Sequence, residues 1–394
     1  MSASYCLKET RARVSIAEYY IQSTSLLKND DIIAHFILMP ALVDDADCDC
    51  FLINGSVPTC YAKHMFFDFR ALSQYAGVPD VRTNLSTAHL APYSSDYFSH
   101  NNWTDVWDIQ TWDNSYGPGE GLSNDAYVLM INSRSNVFIE ENRDDDAASD
   151  TYMTLRTKRI PNFQTVSEFQ SVKGNYRFVS MRMLARTIGS AGAVTGMYTY
   201  RDESGELADI QESDVEILTR GPRNKIQYTN QPSYTDDGGE IPRATRNATT
   251  PDWSDWLVHR LDWTPEVVKW YVNGEEVASI EFQTPKDATD LHFSAWSDGG
   301  TWSGNMSMND EASQQIQWIE VLYNTTAKNL VEENFWVTKR DEDTCNAVCS
   351  INETTDAGIT TLLWDNASVR ISNGRVGGWV TWVIAITLGF IIWI

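Results

Sequence analysis

Short stretches in which apolar and polar residues alternate fill most of the chain between residues 65 and 323. A period of two predicts β-strands, because successive side chains of a strand point to opposite faces. Apolar residues at helical spacing are scarce. Strands are expected at residues 65–72, 127–131, 138–140, 176–184, 193–200, 209–218, 225–230, 256–262, 267–272, 276–282, 291–296 and 315–323. The pattern therefore predicts an all-β sandwich, with a tight hairpin where Asn273-Gly274 separates two apolar strands.

One predicted strand is unusually acidic. Glu212, Asp214 and Glu216 alternate with Ser213 and Val215, so the three acids share one face and the other residues point to the opposite face. Neighbouring carboxylates repel one another, and a site that holds them together raises the pKa of one for proton transfer. The alternative is a solvated acidic strand on an acidic protein.

Composition narrows the ligand class. The chain has 394 residues with 15 Trp, 17 Tyr and 14 Phe, and its formal net charge is −24. Such a charge repels nucleic acid and anionic membranes. Aromatic faces stack on pyranose rings and carboxylates accept hydrogen bonds from hydroxyl groups, so a polysaccharide is the favoured partner. The alternative for the aromatics is a buried place in a large β-fold.

The cysteines and glycosylation sequons point to a secretory route. The six cysteines lie near the two ends of the chain without zinc-like spacing, so we expect disulfides, and pairing between the clusters would join the two ends of a domain. Asn-x-Ser/Thr sequons begin at Asn54, Asn84, Asn102, Asn247, Asn305, Asn324, Asn352 and Asn366. An extracellular or cell-surface protein is predicted.

The two ends of the chain differ from its middle. Residues 379–394 carry no charge and follow the small residues 372–374, a pattern typical of a removable glycolipid-anchor signal, with a retained membrane helix as the alternative. Residues 1–47 are an uncertain leader that could be a degraded signal segment. The predicted organisation is a main domain at 48–337, a polar glycosylated stalk at 338–374 and a hydrophobic tail at 375–394.

Four motifs together resemble glycoside hydrolase family 16. Residues 212–216 resemble its Glu-x-Asp-x-Glu signature, 260–274 its Asp-Trp-Thr-Pro hairpin, and 292–304 its aromatic loop, while 228–231 fit the strand after the catalytic one. The resemblance covers about residues 60 to 330. Sequons, end cysteines and an anchor-like tail are similar to those of fungal wall-associated members.

The resemblance implies a β-jelly-roll sandwich of two curved antiparallel sheets, with a concave glycan-binding cleft. It implies retaining endo-cleavage of β-1,3 or mixed β-1,3/1,4 glucan, or transfer of the cleaved chain to another glucan or chitin chain. Glu212 would be the nucleophile, Glu216 the acid/base and Asp214 the acid between them. Ser213 departs from the aliphatic residue usual there, and Leu257 stands where many members have histidine.

The spacing of the acids is compatible with this chemistry. Retaining cleavage needs carboxyls about 5–5.5 Å apart, whereas Cα atoms four residues apart on a strand are ~13 Å apart. Long glutamate side chains on a strand that is concave toward the cleft can close that gap. We expect Glu212 to be ionised and Glu216 protonated in the free protein. The acids alternate without an inserted residue, a form common in the family among mixed-linkage glucanases and wall transglycosylases.

Further side chains are candidates for sugar contact. Aromatic residues in polar loops need not be buried and could stack on sugar rings, although each could instead belong to the core. The candidates are Trp296 and Trp302 as first choice, then Trp103 and Trp107, with Tyr198 and Asn230 nearer the acids.

Other functional classes fit the chain less well. A sugar-binding jelly roll without turnover has no need of two glutamates that flank an aspartate, and a structural wall protein would carry low-complexity repeats that are missing here. No Gly-x-Ser-x-Gly elbow occurs, and the six histidines are scattered, so we expect neither serine catalysis nor a cofactor. A monomer is expected.

Overall fold

The computed structural model describes residues 41–55, 58–117, 121–122, 126–326 and 345–365. Among these residues the secondary structure is almost entirely β, with one short α-helix at Asn101–Thr104 and several 3-10 helices of three or four residues. The strands are β1 (Ala41–Leu42), β2 (Cys50–Leu52), β3 (Cys60–Tyr61), β4 (Lys63–Asp68), β5 (Trp107–Ile109), β6 (Ser115–Gly117), β7 (Gly121–Leu122), β8 (Met130–Asn132), β9 (Val137–Glu141), β10 (Thr151–Arg159), β11 (Gln164–Ser171), β12 (Tyr176–Gly189), β13 (Val194–Arg201), β14 (Gln211–Leu218), β15 (Lys225–Gln231), β16 (Thr245–Thr249), β17 (Leu257–Trp263), β18 (Val268–Val272), β19 (Glu275–Ile280), β20 (Asp290–Trp296), β21 (Glu311–Thr325), β22 (Ala347–Ser350) and β23 (Thr361–Asp365).

The chain divides into two compact units, of which Lys63–Thr338 is the larger. Its strands form a continuous ladder in the order β16-β15-β14-β13-β20-β11-β10-β21-β12-β17-β18-β19. The ladder is antiparallel throughout, and β11 joins its two halves because it pairs with β20 on one side and β10 on the other. The half that runs from β16 to β11, with β5 at its edge, carries the acidic strand; we refer to it as the front sheet.

The core lies between the front sheet and the other half of the ladder. Inward side chains of the front sheet such as Val215, Met197 and Phe293 are at most 1% exposed. Tyr228 of the front sheet packs on Trp270 of the other half with ring centroids 5.6 Å apart. Since burial of apolar area is the main stabilising term, this alternation holds the two halves face to face. The predicted all-β sandwich is confirmed.

Local predictions agree with the structure where side-chain chemistry differs clearly between faces. The hairpin is present, and Asn273 and Gly274 both have positive φ, 50° and 84°, as a two-residue turn requires. The strands β10 and β11 were not predicted. They place polar residues such as Thr154, Arg156 and Gln164 in buried positions, which hides the alternation.

The smaller unit, Met1–Ala62 with Lys339–Ile394, contains a five-stranded sheet in the order β1-β23-β22-β2-β3. The disulfide Cys48–Cys349 joins its two chain segments, as the end-clustered cysteines suggested. The structure differs here from the expected stalk at 338–374 and from a main domain that begins at 48. Residues 345–365 pair with the segment 41–61 instead, because Val348 and Cys349 bury apolar side chains against β2.

The hydrophobic tail at 375–394 and most of the leader lie outside the described residues. Among the residues that the structure does describe, no helix has the length and apolar character needed to cross a membrane.

Candidate active site

The three acids lie in a row on the outer face of the front sheet. The register of β14 places Tyr200, Tyr198 and Gly196 of β13 opposite Glu212, Asp214 and Glu216, respectively. On the other side, β15 places Gln231, Thr229 and Gln227 opposite the same acids. We call this surface the acidic face. On this face the three acids lie between polar and aromatic side chains, and Glu216 lies beside a glycine.

The residues of β14 alternate between the inner and outer faces of the front sheet, as the sequence predicts. Ser213 and Val215 are 0% and 1% exposed on the inner side, whereas Glu212 and Glu216 are half-buried on the outer side. Ser213 donates a hydrogen bond from its hydroxyl to Asn230 Oδ1 at 2.7 Å. The polar residue in the core is therefore satisfied, which removes most of the cost of burying it.

Each acid has a different hydrogen-bond partner. Gln231 Nε2 donates to Asp214 Oδ2 at 3.3 Å, and Trp302 Nε1 donates to Glu216 Oε1 at 3.1 Å. The interaction between Asp214 and Glu212 raises the pKa of Asp214 and lowers that of Glu212. It therefore favours the proton on the middle acid over the proton on Glu212.

Burial dominates the electrostatics of the row. It raises the pKa of Glu212 to about 8, with the charges of Glu216 and Glu168 adding to the shift, and raises the pKa of Glu216 to about 7. The pKa of Asp214 is raised well above its usual range by burial and by both flanking glutamates. The expected order, Glu212 ionised and Glu216 protonated, is not found in the free protein, because burial raises both pKa values and the charges of Glu216 and Glu168 raise that of Glu212 further. The row retains protons near neutral pH.

A fourth carboxylate lies beyond the triplet. Glu168 of β11 is 7% exposed and contacts His292 Nδ1 at 2.8 Å. Tyr198 donates its hydroxyl to the same Glu168 oxygen at 3.2 Å and stacks on His292, with ring centroids 4.8 Å apart. Sequence analysis missed Glu168 and His292. The signal that could have found Glu168 is the alternation of Glu168 and Gln170 with apolar Phe169 in β11.

The acidic face continues away from the acids across the front sheet. Through successive strand pairs, Asp214 is followed by Tyr198, His292, Gln170 and Asp108. Four strand spacings make this row roughly 19 Å long. At its far end lies a cavity of about 500 Å³, lined by Asp108, Gln170 and Asp290 among others. The lining reaches back to Asp290, which pairs with Tyr200 and so lies two strands away from Glu212.

The aromatic candidates divide into two groups. Trp302 contacts Glu216, and Trp296 lies on the same face of β20 as His292 and is partly exposed. The prediction for Trp103 and Trp107 is corrected, since both are 1% exposed. They are packed edge to face with phenylalanines, including Phe169 at 5.2 Å from each. A polar loop sequence hid their burial, which depends on β5 and the helix folding onto the core.

Asn230 also has a different place from the one predicted. It is 0% exposed on the inner side of β15, accepts the Ser213 hydroxyl and donates to Phe282 O at 3.0 Å. Its amide links the acidic strand to the segment after β19 and cannot reach a sugar on the acidic face. Tyr198, by contrast, lies on that face beside Asp214.

This arrangement can perform proton transfer and nucleophilic attack. Carboxyls with pKa values raised toward neutrality can hold a proton for a leaving group, and an unprotonated neighbour can attack an electrophilic carbon. The two outer glutamates lie on the same face, and between them lies an aspartate whose pKa burial raises well above its usual range. A neutral polymer laid across the face would contact aromatic rings and carboxylates along its length.

Comparisons with known proteins match this region. Residues 130–320 match the family model of glycosyl hydrolases family 16. A beta-glucanase of Fibrobacter succinogenes is 29% identical over 188 residues, which cover 44% of this chain and 50% of that protein. A beta-glucanase of Bacillus licheniformis is 23% identical over 132 residues, covering 33% of this chain and 52% of that protein. The chain thus spans about half the length of the curated relatives it matches.

A search of solved structures also found matches. The Bacillus licheniformis beta-glucanase structure superposes with a TM-score of 0.43 at 20% identity, covering 57% of this chain and 94% of that one. The laminarinase catalytic domain from Thermotoga maritima gives a TM-score of 0.43 at 16% identity, covering 57% and 93%.

Proposed function

Residues 130–320 match the family model of glycosyl hydrolases family 16, and from that premise we propose that the protein is a retaining endo-acting glycosidase on β-glucan. The observation that carries the proposal is the row Glu212, Asp214 and Glu216 on one face of the front sheet, with all three pKa values raised. A solvated acidic strand would show neither the burial nor the raised pKa values.

In the proposed reaction Glu212 is the nucleophile and Glu216 the acid/base. Glu216 gives its proton to the glycosidic oxygen as that bond breaks, and the Glu212 carboxylate bonds to the anomeric carbon. Water then gives a proton to Glu216, and its oxygen displaces Glu212. Asp214 lowers the pKa of Glu212 against the larger effect of burial, which is the direction that a nucleophilic carboxylate needs.

The proposed substrate is a β-1,3 or mixed β-1,3/1,4 glucan. Both curated relatives are named beta-glucanases. The acidic face agrees with a neutral polymer, since it combines carboxylates with the rings of Tyr198, Trp296 and Trp302. We propose these three side chains as substrate contacts.

Transfer to a second glycan is the alternative activity. The pairing of β13 with β14 continues without a register shift from Val194↔Leu218 to Arg201↔Gln211, so the acids keep strict alternation. This form is shared in the family by mixed-linkage glucanases and wall transglycosylases. In transfer, a glucan or chitin hydroxyl replaces water in the second step.

Product analysis on laminarin, mixed-linkage glucan and chitin oligosaccharides tests these proposals. Shorter products indicate hydrolysis, and products longer than the starting oligosaccharide indicate transfer. Glu212→Gln and Glu216→Gln should abolish turnover while the protein remains folded. Near-wild-type rates in either variant would refute the assignment, and binding without any product would favour a non-catalytic sugar-binding jelly roll.

We also propose an extracellular or wall-associated location, as a monomer held through the C-terminal tail. The sequon residues Asn84, Asn102, Asn247 and Asn305 are exposed and accessible to glycosylation. On expression in a eukaryotic secretory host, treatment with a glycosidase specific for N-glycans should lower the mass of the protein. An unchanged mass would count against this location.

A further inference from the structure

The two outer glutamates of the acidic row differ in the groups that hold them, and at Glu216 the hydrogen-bond donor among the described residues is Trp302. We infer that Trp302 is a positioning residue for the acid/base: its indole N–H holds one oxygen of Glu216 and leaves the other oxygen to carry the proton. This inference rests on the proposed function, and it gives Trp302 a task beyond stacking on a sugar ring.

The direction of the hydrogen bond follows from the chemistry of the two groups. Trp302 Nε1 lies 3.1 Å from Glu216 Oε1. An indole nitrogen can only donate, so Oε1 is the acceptor, and the unprotonated oxygen of a carboxylic acid is the stronger acceptor of the two. The contact therefore favours the form of the neutral acid that carries its proton on Oε2. A proton that has one defined location can be delivered to one defined position of a bound glycan.

On the two adjacent strands Glu216 faces a glycine and a glutamine, and its hydrogen-bond donor is Trp302, a loop residue. The residue opposite on β13 is Gly196, which has no side chain to offer. The residue opposite on β15 is Gln227, and its amide nitrogen donates to Thr229 Oγ1 at 3.4 Å. Glu212, in contrast, receives a hydrogen bond from Asp214. The row thus stabilises its two outer glutamates by different donors, one from the same strand and one from a loop.

Hydrogen bonds fix the loop that carries Trp302 both before and after this residue in the chain. Asp298, 7% exposed, accepts hydrogen bonds from Ser303 Oγ at 2.6 Å and from the Gly300 N–H at 2.9 Å. Its backbone oxygen also accepts the N–H groups of Tyr127 and Val128. The Gly304 N–H closes the turn on Gly300 O at 3.0 Å. A side chain in such a fixed turn loses little entropy when it holds a carboxyl in place.

Trp302→Phe separates positioning from stacking, because it keeps an aromatic face and removes the N–H. The donor favours the ionised form of Glu216, so its loss raises the pKa of that carboxyl. The alkaline limb of the pH profile for kcat/KM should move up by about one to two pH units, the equivalent of one hydrogen bond to a charged group. We expect kcat to fall about tenfold, with KM changed less than twofold. Trp302→Ala should lower kcat similarly and also raise KM.

Trp253→Phe is the matched control. It also removes an indole N–H, which donates to Pro222 O at 3.2 Å away from the acids. Its pH profile should coincide with that of the wild type. A wild-type kcat and an unmoved alkaline limb in folded Trp302→Phe would overturn the inference, whereas an increase in KM alone would leave Trp302 as a stacking residue only.

A measurement without substrate separates this inference from the proposed function. In ¹H–¹⁵N NMR spectra, the indole signal missing from Trp302→Phe identifies Trp302 Nε1–H. In the wild type that signal should shift as Glu216 titrates, and in Glu216→Gln the shift should disappear. Titration of this signal in a chain without turnover would support the contact and refute the glycosidase. A signal that does not respond to Glu216 would refute the contact, whatever the activity.

Discussion

The acidic row should destabilise the folded protein at neutral and alkaline pH, and Glu212→Gln should relieve part of this cost. Burial raises the pKa of Glu212 from 4.5 to about 8, so the folded state binds this proton more tightly than the unfolded chain does. The contribution of such a group to stability is complete below pH 4.5 and is lost as pH rises toward 8. A glutamine is neutral throughout and escapes the loss.

The size of the effect follows from the shift. One pKa unit corresponds to about 1.4 kcal/mol. The full shift would give roughly 4 to 5 kcal/mol above pH 8. Glu212 is only half-buried and its interaction with Asp214 lowers its pKa, so water and the neighbour reduce the loss. We expect Glu212→Gln to increase the free energy of unfolding by about 1–3 kcal/mol at pH 8, and by a few tenths at most at pH 4.

Urea unfolding followed by tryptophan fluorescence at both pH values measures the difference. Glu266→Gln, at an exposed position, is the control and should change stability little at either pH. An equal gain for Glu212→Gln at pH 4 and pH 8 would show that charge is not the cause. A loss of stability at pH 8 would refute the reasoning altogether, since it would mean that the ionised carboxylate is favourable in the fold.

Two further substitutions test the corrected positions. Ser213→Ala removes the donor to buried Asn230 Oδ1 and should destabilise the fold by about 1–3 kcal/mol, with KM unchanged. Unfolding midpoints and steady-state kinetics measure the two effects. A raised KM at full stability would mean that Asn230 contacts the sugar after all. Trp103→Ala empties a site that is 1% exposed and should cost about 3–5 kcal/mol in unfolding experiments. A Trp103 variant of normal stability but weakened glucan binding would contradict the core assignment.

The alternation in β14 could be predicted from the sequence because one face of the strand carries the acids and the other face is buried in the core. Glu212 and Glu216 are tolerated only on the outer side, and Val215 gains free energy only on the inner side. The same contrast made β18 and β19 predictable, with a turn whose two residues accept positive φ. Where both faces of a strand are buried and carry polar residues, as in β10, the period disappears and sequence reading fails.

Loop aromatics were the weakest part of the sequence reading. Trp103 and Trp302 both lie in polar stretches, yet the first is in the core and the second contacts Glu216. Burial of a tryptophan depends on which distant side chains converge on it. For Trp103 these are Phe98 and Phe169, at 5.0 and 5.2 Å between ring centroids. The composition of the surrounding sequence does not identify such partners.

The sequence by itself determined the β class, the row Glu212-Asp214-Glu216 and the face on which it lies, because strand period and side-chain polarity are local properties. Only the tertiary structure decided the neighbours of that row. Strand register brought Glu168 and His292 onto the acidic face, and loop closure brought Trp302 to Glu216. These contacts join residues far apart in the chain, and the packing of whole sheets selects them.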